Sequence, residues 1–394
     1  MNKEKNLFPI YRNNKDLIYL DYAATTFMPD SVIESLVYYH SNVGVGLYRG
    51  NGALSTRAEV FFENGKKSIL DFFSAGEKYD AFFGKNATEC LNVLANSFSK
   101  ILHPGDIVLT TPYEHHSNIL PWKKVVKDVG ACLVQLPMSE DGSLEYNFIK
   151  KLDVDRIKVF TGSYISNVNG HVLNVERIKE SIGKNVISIL DVSQAVGHKK
   201  LSFEEMNFTA YVMSAHKMYG PKNIGAAIIN SEFIDSMEPF LLGGGMVWNS
   251  LSPLPVWHKG VRKFDAGTFD CGLVYAWSKA CVFLKDYGFL KLEERDRSIY
   301  EIVKEEIKKI DINLVQGSPC NASLCSFKLR NKHPHDLSEW LSTRNIEIRT
   351  GHMCSQDAMN SLNCSSVCRM SWGIGVDESD VKKCLMAVKE FTKC

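Results

Sequence analysis

The chain has almost no net charge: 46 Lys and Arg against 45 Asp and Glu leave +1 over 394 residues. Such a balance makes no field to gather nucleic acid or an anionic lipid surface, so neither is expected as a partner. No apolar run reaches membrane-spanning length, and the opening Met1-Asn-Lys-Glu-Lys-Asn-Leu-Phe-Pro-Ile10 lacks the apolar stretch of a secretory signal. A cytoplasmic location is expected. No Gly-x-Gly-x-x-Gly follows the first strand pattern, which argues against a dinucleotide site, and no His-Glu-x-x-His marks a zinc helix. Internal repeats and low-complexity tracts are absent as well. Cysteine is not scarce, but eleven is an odd number and reads as reduced thiols rather than a disulfide framework. Cys90, Cys132, Cys271, Cys281, Cys325 and Cys384 lie in apolar stretches and are expected to pack as small hydrophobes. Cys364 and Cys368 have no second Cys/His pair at zinc spacing, so no metal is expected.

What is present is length and alternation. A chain of 394 residues, 45% of them apolar, can bury a large core and suggests two domains, or one α/β domain with an appendage. From about Ile18 to Asn230, short apolar runs bounded by turn residues alternate with helix-period segments, which predicts a mostly parallel sheet. Strands are expected at Ala81–Phe83, Ile107–Thr110, Ala131–Gln135, Ile157–Thr161, Val186–Leu190, Ala210–Met213 and Ala226–Ile229. Crossover helices are expected at Ala58–Phe73, Thr88–Ile101, Ser117–Val129 and Val175–Ile182. After the loop Gly243-Gly244-Gly245 the pattern changes. Long helical stretches appear at Leu273–Tyr287 and Leu292–Ile310, strand-like runs at Ser326–Leu329 and Ile346–Arg349, and a closing helix at Glu378–Thr392. The expected division is a large α/β domain over 18–258 and a smaller α+β domain over 259–394, onto which the N-terminal arm 1–17 folds.

In open α/β sheets the ligand crevice lies beyond the carboxyl ends of the strands, so polar residues gathered there carry most weight. Gly84-Lys-Asn-Ala87-Thr88-Glu89 opens a helix whose free N–H groups suit a phosphate, although an ordinary helix cap reads the same way. Glu114-His115-His116-Ser117-Asn118 brings an imidazole that can stack on a planar ring. Ser163-Tyr-Ile-Ser-Asn167 follows the fourth strand, where a turn explains it equally well. Val186–Leu190 runs straight into Asp191, with Gln194 three residues on. A carboxylate at the end of an apolar strand requires a cation or strong donors. The next strand delivers Ser214, His216 and Lys217 ahead of the Gly220-Pro221 turn. Asp191 for a protonated pyridine nitrogen, Lys217 for an aldehyde, and Thr88, Ser214 and His216 for a phosphate make up the set that pyridoxal phosphate requires. Cys354 lies between Gly351-His352-Met353 and the polar Ser355-Gln356-Asp357, a loop setting that favours a functional thiol over a core one.

These residues resemble the class V, fold-type I pyridoxal phosphate enzymes, most closely the cysteine desulfurase and selenocysteine lyase group. The resemblance runs through Tyr19-Leu-Asp-Tyr-Ala-Ala-Thr-Thr26, Glu114-His-His-Ser-Asn118, Ser166-Asn-Val168, Asp191-Val-Ser-Gln194, Ser214-Ala-His-Lys-Met-Tyr-Gly-Pro221, Ala266-Gly-Thr268 and Arg349-Thr-Gly-His-Met-Cys354. It implies a fold-type I transferase architecture: a large domain with a mostly parallel seven-stranded sheet and a smaller α+β C-terminal domain. By resemblance, Lys217 holds the cofactor aldehyde and later moves a proton, Asp191 faces the pyridinium, and His115 stacks on the ring as an acid or base. Gln194 and Asn167 orient the ring. Ala87, Thr88, Ser214 and His216 hold the phosphate, with Thr268 added from the neighbouring subunit of a homodimer. Arg369 grips the substrate carboxylate, Arg349 stands nearby, and His352 is a proton acceptor. Cys354 takes the sulfur of L-cysteine as a persulfide, a task suited to a thiolate, and leaves L-alanine. The sulfur then passes to an acceptor protein or small thiol, as in iron–sulfur cluster biogenesis.

The chain also departs from that pattern. Tyr48-Arg49-Gly50-Asn51-Gly52 stands where many desulfurases have His-Arg-Gly followed by another histidine. Phe269-Asp270 replaces a usual Pro-Asn and is reminiscent of epimerase-like members, Met353 replaces a histidine, and Asp357 a proline. Two other readings therefore stay open: a class V aminotransferase, epimerase or C–S lyase in which Cys354 is a bystander, and a scaffold without catalysis. Retention of Lys217, Asp191, His115 and Arg369 argues against the scaffold.

Overall fold

The structure is a computed structural model that describes residues 3–47, 50–139, 141–251, 253–315 and 323–393. The expected strands form a single sheet: β1 Tyr79–Gly84, β2 Ile107–Thr110, β3 Cys132–Gln135, β4 Ile157–Ser163, β5 Ile187–Asp191, β6 Ala210–Ser214 and β7 Gly225–Asn230. Their order is β1-β7-β6-β5-β4-β2-β3, with β7 antiparallel to both neighbours and the other pairs parallel. Side chains alternate between the faces: Tyr211 and Met213 enter one apolar core, Ala210 and Val212 the other. A sheet apolar on both faces must be covered on both. Helices α1 Asp30–Asn42, α2 Ala53–Phe72, α3 Ala87–Ser97, α4 His116–Val129, α5 Val175–Ser181 and α6 Cys271–Tyr287 do this. Leu94 of α3 and Trp122 of α4 enter the smaller core, while Ile69 of α2 and Trp277 of α6 enter the larger.

The α/β class is as expected, and two local readings change. Cys132 does not pack as a small hydrophobe. Strand β3 is the edge of the sheet, and the thiol there is exposed. The strand expected at Ile346–Arg349 is split: Ile346–Glu347 pairs in parallel with Ile18–Tyr19, whereas Arg349–Gly351 joins a second sheet. That sheet contains β8 Ile312–Val315, β9 Leu324–Leu329, β10 Arg349–Gly351 and β11 Val367–Ser371 in the antiparallel order β8-β9-β11-β10. It is backed by α7 Phe289–Ile307, α8 Pro334–Ser342 and α10 Glu378–Lys393, while α9 Gln356–Ser361 reaches Lys123 of α4 and Gln135 of β3 through Asp357.

The segment after Ile18 joins the two sheets. Ser371 N donates to Leu20 O, and Thr26 N donates to His216 O beside Lys217. Tyr48 and Arg49 lie outside the described residues, and Gly52 precedes α2 as its N-cap. No helix among the described residues is long and apolar enough to cross a membrane.

Candidate active site

Strands β1, β2, β4, β5 and β6 direct their carboxyl ends toward one cavity of about 360 Å3, a size suited to a small ligand. Its phosphate-like end is built by close approach. A Cβ on Gly225 would lie 2.5 Å from Asn86 C and 2.7 Å from Ala87 N, so only glycine lets the start of α3 rest on β7. With α3 seated there, Ala87 N donates to Ser214 Oγ at 2.8 Å, and Asn86 caps the helix through Glu89 N at 2.9 Å. Thr88 and His216 line the same end. The His216 imidazolium is disfavoured, its pKa pushed down to about 4 by burial and then by Lys217.

Asp191 ends β5 in register with Ser163 on one side and Val212 on the other, and its Oδ1 accepts Ser193 N at 2.9 Å. Lys217 follows β6; burial lowers its pKa, and Asp191 opposes that shift. Gly197 permits the packing, because a Cβ there would lie 2.5 Å from Lys217 O. His115 is the N-cap of α4, with Nδ1 bonded to Ser117 Oγ at 2.7 Å. Burial and then Lys217 push its pKa down to about 4, so its imidazole is neutral at ordinary pH. Gln194 Nε2 donates to Ala23 O at 2.9 Å.

One buried group in this wall had no role assigned from sequence. Glu114 is fully buried and accepts from Thr111 Oγ1, Ser163 N, Ser163 Oγ and Asn118 Nδ2 at 2.6–2.9 Å. Burial nevertheless pushes its pKa up to about 7. It bears on the cavity through Ser163, which lines it. The signal was its place before His115 in a strand-end motif.

The opposite wall comes from the second sheet and the N-terminal segment. Arg369, 3% exposed, donates from Nη2 to Asp21 Oδ1 at 2.7 Å and from Nη1 to Asn167 O at 2.8 Å. Arg349 pairs with Arg369 across β10 and β11 and stands 4.0 Å from Asp21. Asp21 was quoted only within its motif; its partner lies 348 positions away, beyond the reach of any local pattern. Cys354 lines the cavity and is half-buried. Its carbonyl accepts His116 N at 2.7 Å, and Asn167 Nδ2 donates to Met353 O at 2.8 Å. Not every expected residue converges here. His352 is exposed, with its ring 6.3 Å from that of His116, and it does not line the cavity. Thr268 is exposed and also lies outside the cavity lining of its own chain. Asp270 accepts Gly272 N at 2.9 Å as the N-cap of α6, a structural task.

The residues present fit pyridoxal phosphate. A helix N-terminus flanked by hydroxyls suits its phosphate, a carboxylate at the carboxyl end of a central strand suits its ring nitrogen, and a lysine with a depressed pKa suits its aldehyde. Among the described residues, Ser193 Oγ and Arg369 Nε are buried without a protein partner, and both residues line the cavity, as polar groups of a ligand site do.

The sequence pattern of the family described as Aminotransferase class-V matches residues 18–384. A probable cysteine desulfurase of Halalkalibacterium halodurans is 30% identical, with 98% of this chain and 97% of that protein covered. One of Staphylococcus aureus is 32% identical over 96% of this chain and 92% of that protein. Among solved structures, the apo cysteine desulfurase of Thermococcus onnurineus superposes with a TM-score of 0.92 at 26% identity, covering 98% of this chain and 96% of that one.

Proposed function

We propose that this chain, which belongs to the class-V aminotransferase family, is a pyridoxal-phosphate-dependent cysteine desulfurase. It moves sulfur from L-cysteine to Cys354 and releases L-alanine. The observation that carries this reading is that Lys217, Asp191 and Arg369 share one cavity with Cys354. An aminotransferase or epimerase has a use for the first three and none for the thiol.

Lys217 would hold pyridoxal phosphate, with Ala87, Thr88, Ser214 and His216 about its phosphate, Asp191 at its ring nitrogen and His115 on its face. Gln194 and Asn167 would meet its polar edge, and Thr268 of a second copy would complete the phosphate site. Bound there, the cofactor supplies an electron sink for charge developing at the substrate α-carbon. Burial keeps a share of Lys217 as the neutral amine, the form that attacks a carbonyl and accepts the α-proton. Neutral His115, its Nδ1 held by Ser117, presents an uncharged ring to stack on the cofactor. Arg369, with Arg349 beside it, binds the substrate carboxylate in a geometry that fits guanidinium better than ammonium.

Cys354 attacks the substrate sulfur as a thiolate. An S–S bond forms as the C–S bond breaks, the electron pair of that bond stays on carbon, and the carbon takes a proton. Cysteine plus one protein thiol therefore gives alanine plus one protein persulfide, with no outside oxidant. A thiol of an acceptor protein or small molecule then takes the sulfur, and selenocysteine fits the same scheme. A cytoplasmic homodimer, each subunit divided into a large and a small domain, with α6 counted with the large sheet it covers although it follows the expected boundary at 258/259, completes the proposal.

The test is incubation of the purified protein with L-cysteine, with alanine quantified and the Cys354 peptide weighed for one added sulfur. Cys354→Ala should keep the visible cofactor band and the borohydride-trapped adduct on Lys217 while losing persulfide and alanine. Undiminished alanine from that variant overturns the assignment.

A further inference from the structure

Met353 and Cys354 both have left-handed backbone, with φ of 55° and 53°. Residues with a Cβ enter that region at a cost, and consecutive ones persist only where the surroundings hold them. Here the holding groups are known. Asn167 Nδ2 donates to Met353 O at 2.8 Å, and Ser355 Oγ donates to Asn167 Oδ1 at 3.0 Å, so one amide grips the chain on both sides of Cys354. Asn167 is 8% exposed and Ser355 is fully buried, so water does not readily replace either bond. The backbone carbonyl of Asn167 accepts from Arg369 Nη1 at 2.8 Å, which ties the grip to the arginine of the substrate site.

We propose that Asn167 and Ser355 form a clamp that fixes Cys354 for attack on substrate bound at Arg369. Ser355 is a positioning residue that acts through the loop beside the nucleophile, and Asn167 adds this grip to its place at the cofactor edge. The proposal rests on the desulfurase reading for what Cys354 attacks, but the clamp itself does not depend on that reading. Ser355 is its critical part. Alanine there removes the donor to Oδ1, leaves the Asn167 amide free to turn, and lets the strained pair relax away from the cavity.

Ser355→Ala and Asn167→Ala, separately and combined, test this, with the rate of Cys354 alkylation by iodoacetamide read by peptide mass on the protein as purified. Ser355→Ala should be alkylated about tenfold faster, the factor expected for loss of one buried hydrogen bond, and Asn167→Ala faster still, because it loses both. The double variant should be no faster than Asn167→Ala, because both bonds share that amide. In turnover, Ser355→Ala should lower kcat for alanine about tenfold with KM for cysteine and the visible cofactor band unchanged, since alignment and not binding is lost. A thiol that becomes more reactive to a small reagent but less competent in turnover is the signature of lost alignment. Unchanged alkylation in both single variants overturns the clamp, and additive rates in the double variant overturn the shared amide. If the wild-type protein makes no alanine from cysteine, the desulfurase reading falls while the alkylation rates still decide the clamp.

Discussion

Asp191 and Ser214 leave the ends of adjacent strands in a hydrogen-bonded ladder, whereas Met353 and Cys354 sit on left-handed backbone gripped by side chains from elsewhere in the chain. On the first wall, geometry is inherited from the sheet: register places Asp191 beside Ser163 and Ser214 opposite Gly225. On the second, Arg349 and Arg369 share a ladder, but the guanidinium of Arg369 is aimed by Asp21 and the thiol loop is held by individual contacts, among them Asn167 to Met353 and Ser355 to Asn167. Ladder-held groups tolerate the loss of one neighbour because the backbone bonds remain. Contact-held groups have no such reserve, so single substitutions should do most harm on the second wall.

Arg369→Lys strikes that wall hardest. Lysine cannot serve Asp21, Asn167 O and a carboxylate together, and breaking a buried pair costs about 3–5 kcal/mol, so kcat/KM for cysteine should fall by roughly a hundredfold or more, chiefly through KM. Steady-state kinetics over a wide cysteine range check this, and a near-normal KM would place the substrate carboxylate elsewhere. Glu114→Gln probes the first wall through pH. Its carboxyl pKa is raised from 4.5 to about 7 in the fold, so the stability it contributes is full below pH 4.5 and is lost as pH rises through 7. The loss amounts to at most about 3 kcal/mol. Urea midpoints at pH 5 and pH 8 should therefore differ less in Glu114→Gln than in the wild type, and equal differences would refute a raised carboxyl. Asp270→Ala is the smallest change and belongs to neither wall. Loss of the α6 cap should cost about 1 kcal/mol in thermal unfolding and leave kcat near the wild-type value. A large fall in kcat would instead give Asp270 the chemical role that its epimerase-like motif suggests.

The same contrast explains what could be read before any coordinates. Ile107–Thr110 was legible to the residue because β-branched and leucine side chains lie between turn signals, and periodicity reports what a ladder does. Since ligands lie beyond strand ends, Asp191, Ser214 and Lys217 followed from the strands themselves. Ser355 could not be found this way. Its partner Asn167 is 188 positions distant, and no local pattern distinguishes a hydroxyl that reaches it from one that faces water. Cys132 misled for a related reason: an apolar run marks a strand, but not whether that strand lies inside the sheet or at its edge. The break between Ile346–Glu347 and Arg349–Gly351 was hidden because the first half pairs with Ile18–Tyr19, far away in the chain, and the second with β11.

The segment after Ile18 imposes a schedule on biosynthesis. Ala23 N donates to Ser371 Oγ at 2.9 Å across 348 positions, so in synthesis Ala23 must wait for Ser371 before this contact can form. At roughly 5–20 residues per second the delay is on the order of tens of seconds. Through most of that interval the strands bearing Asp191 and Lys217 can assemble while the nascent chain has neither Cys354 nor Arg369. The strand ends proposed for the cofactor and the loop proposed for the sulfur are thus made at different times, and a half-made chain holds only the first of them.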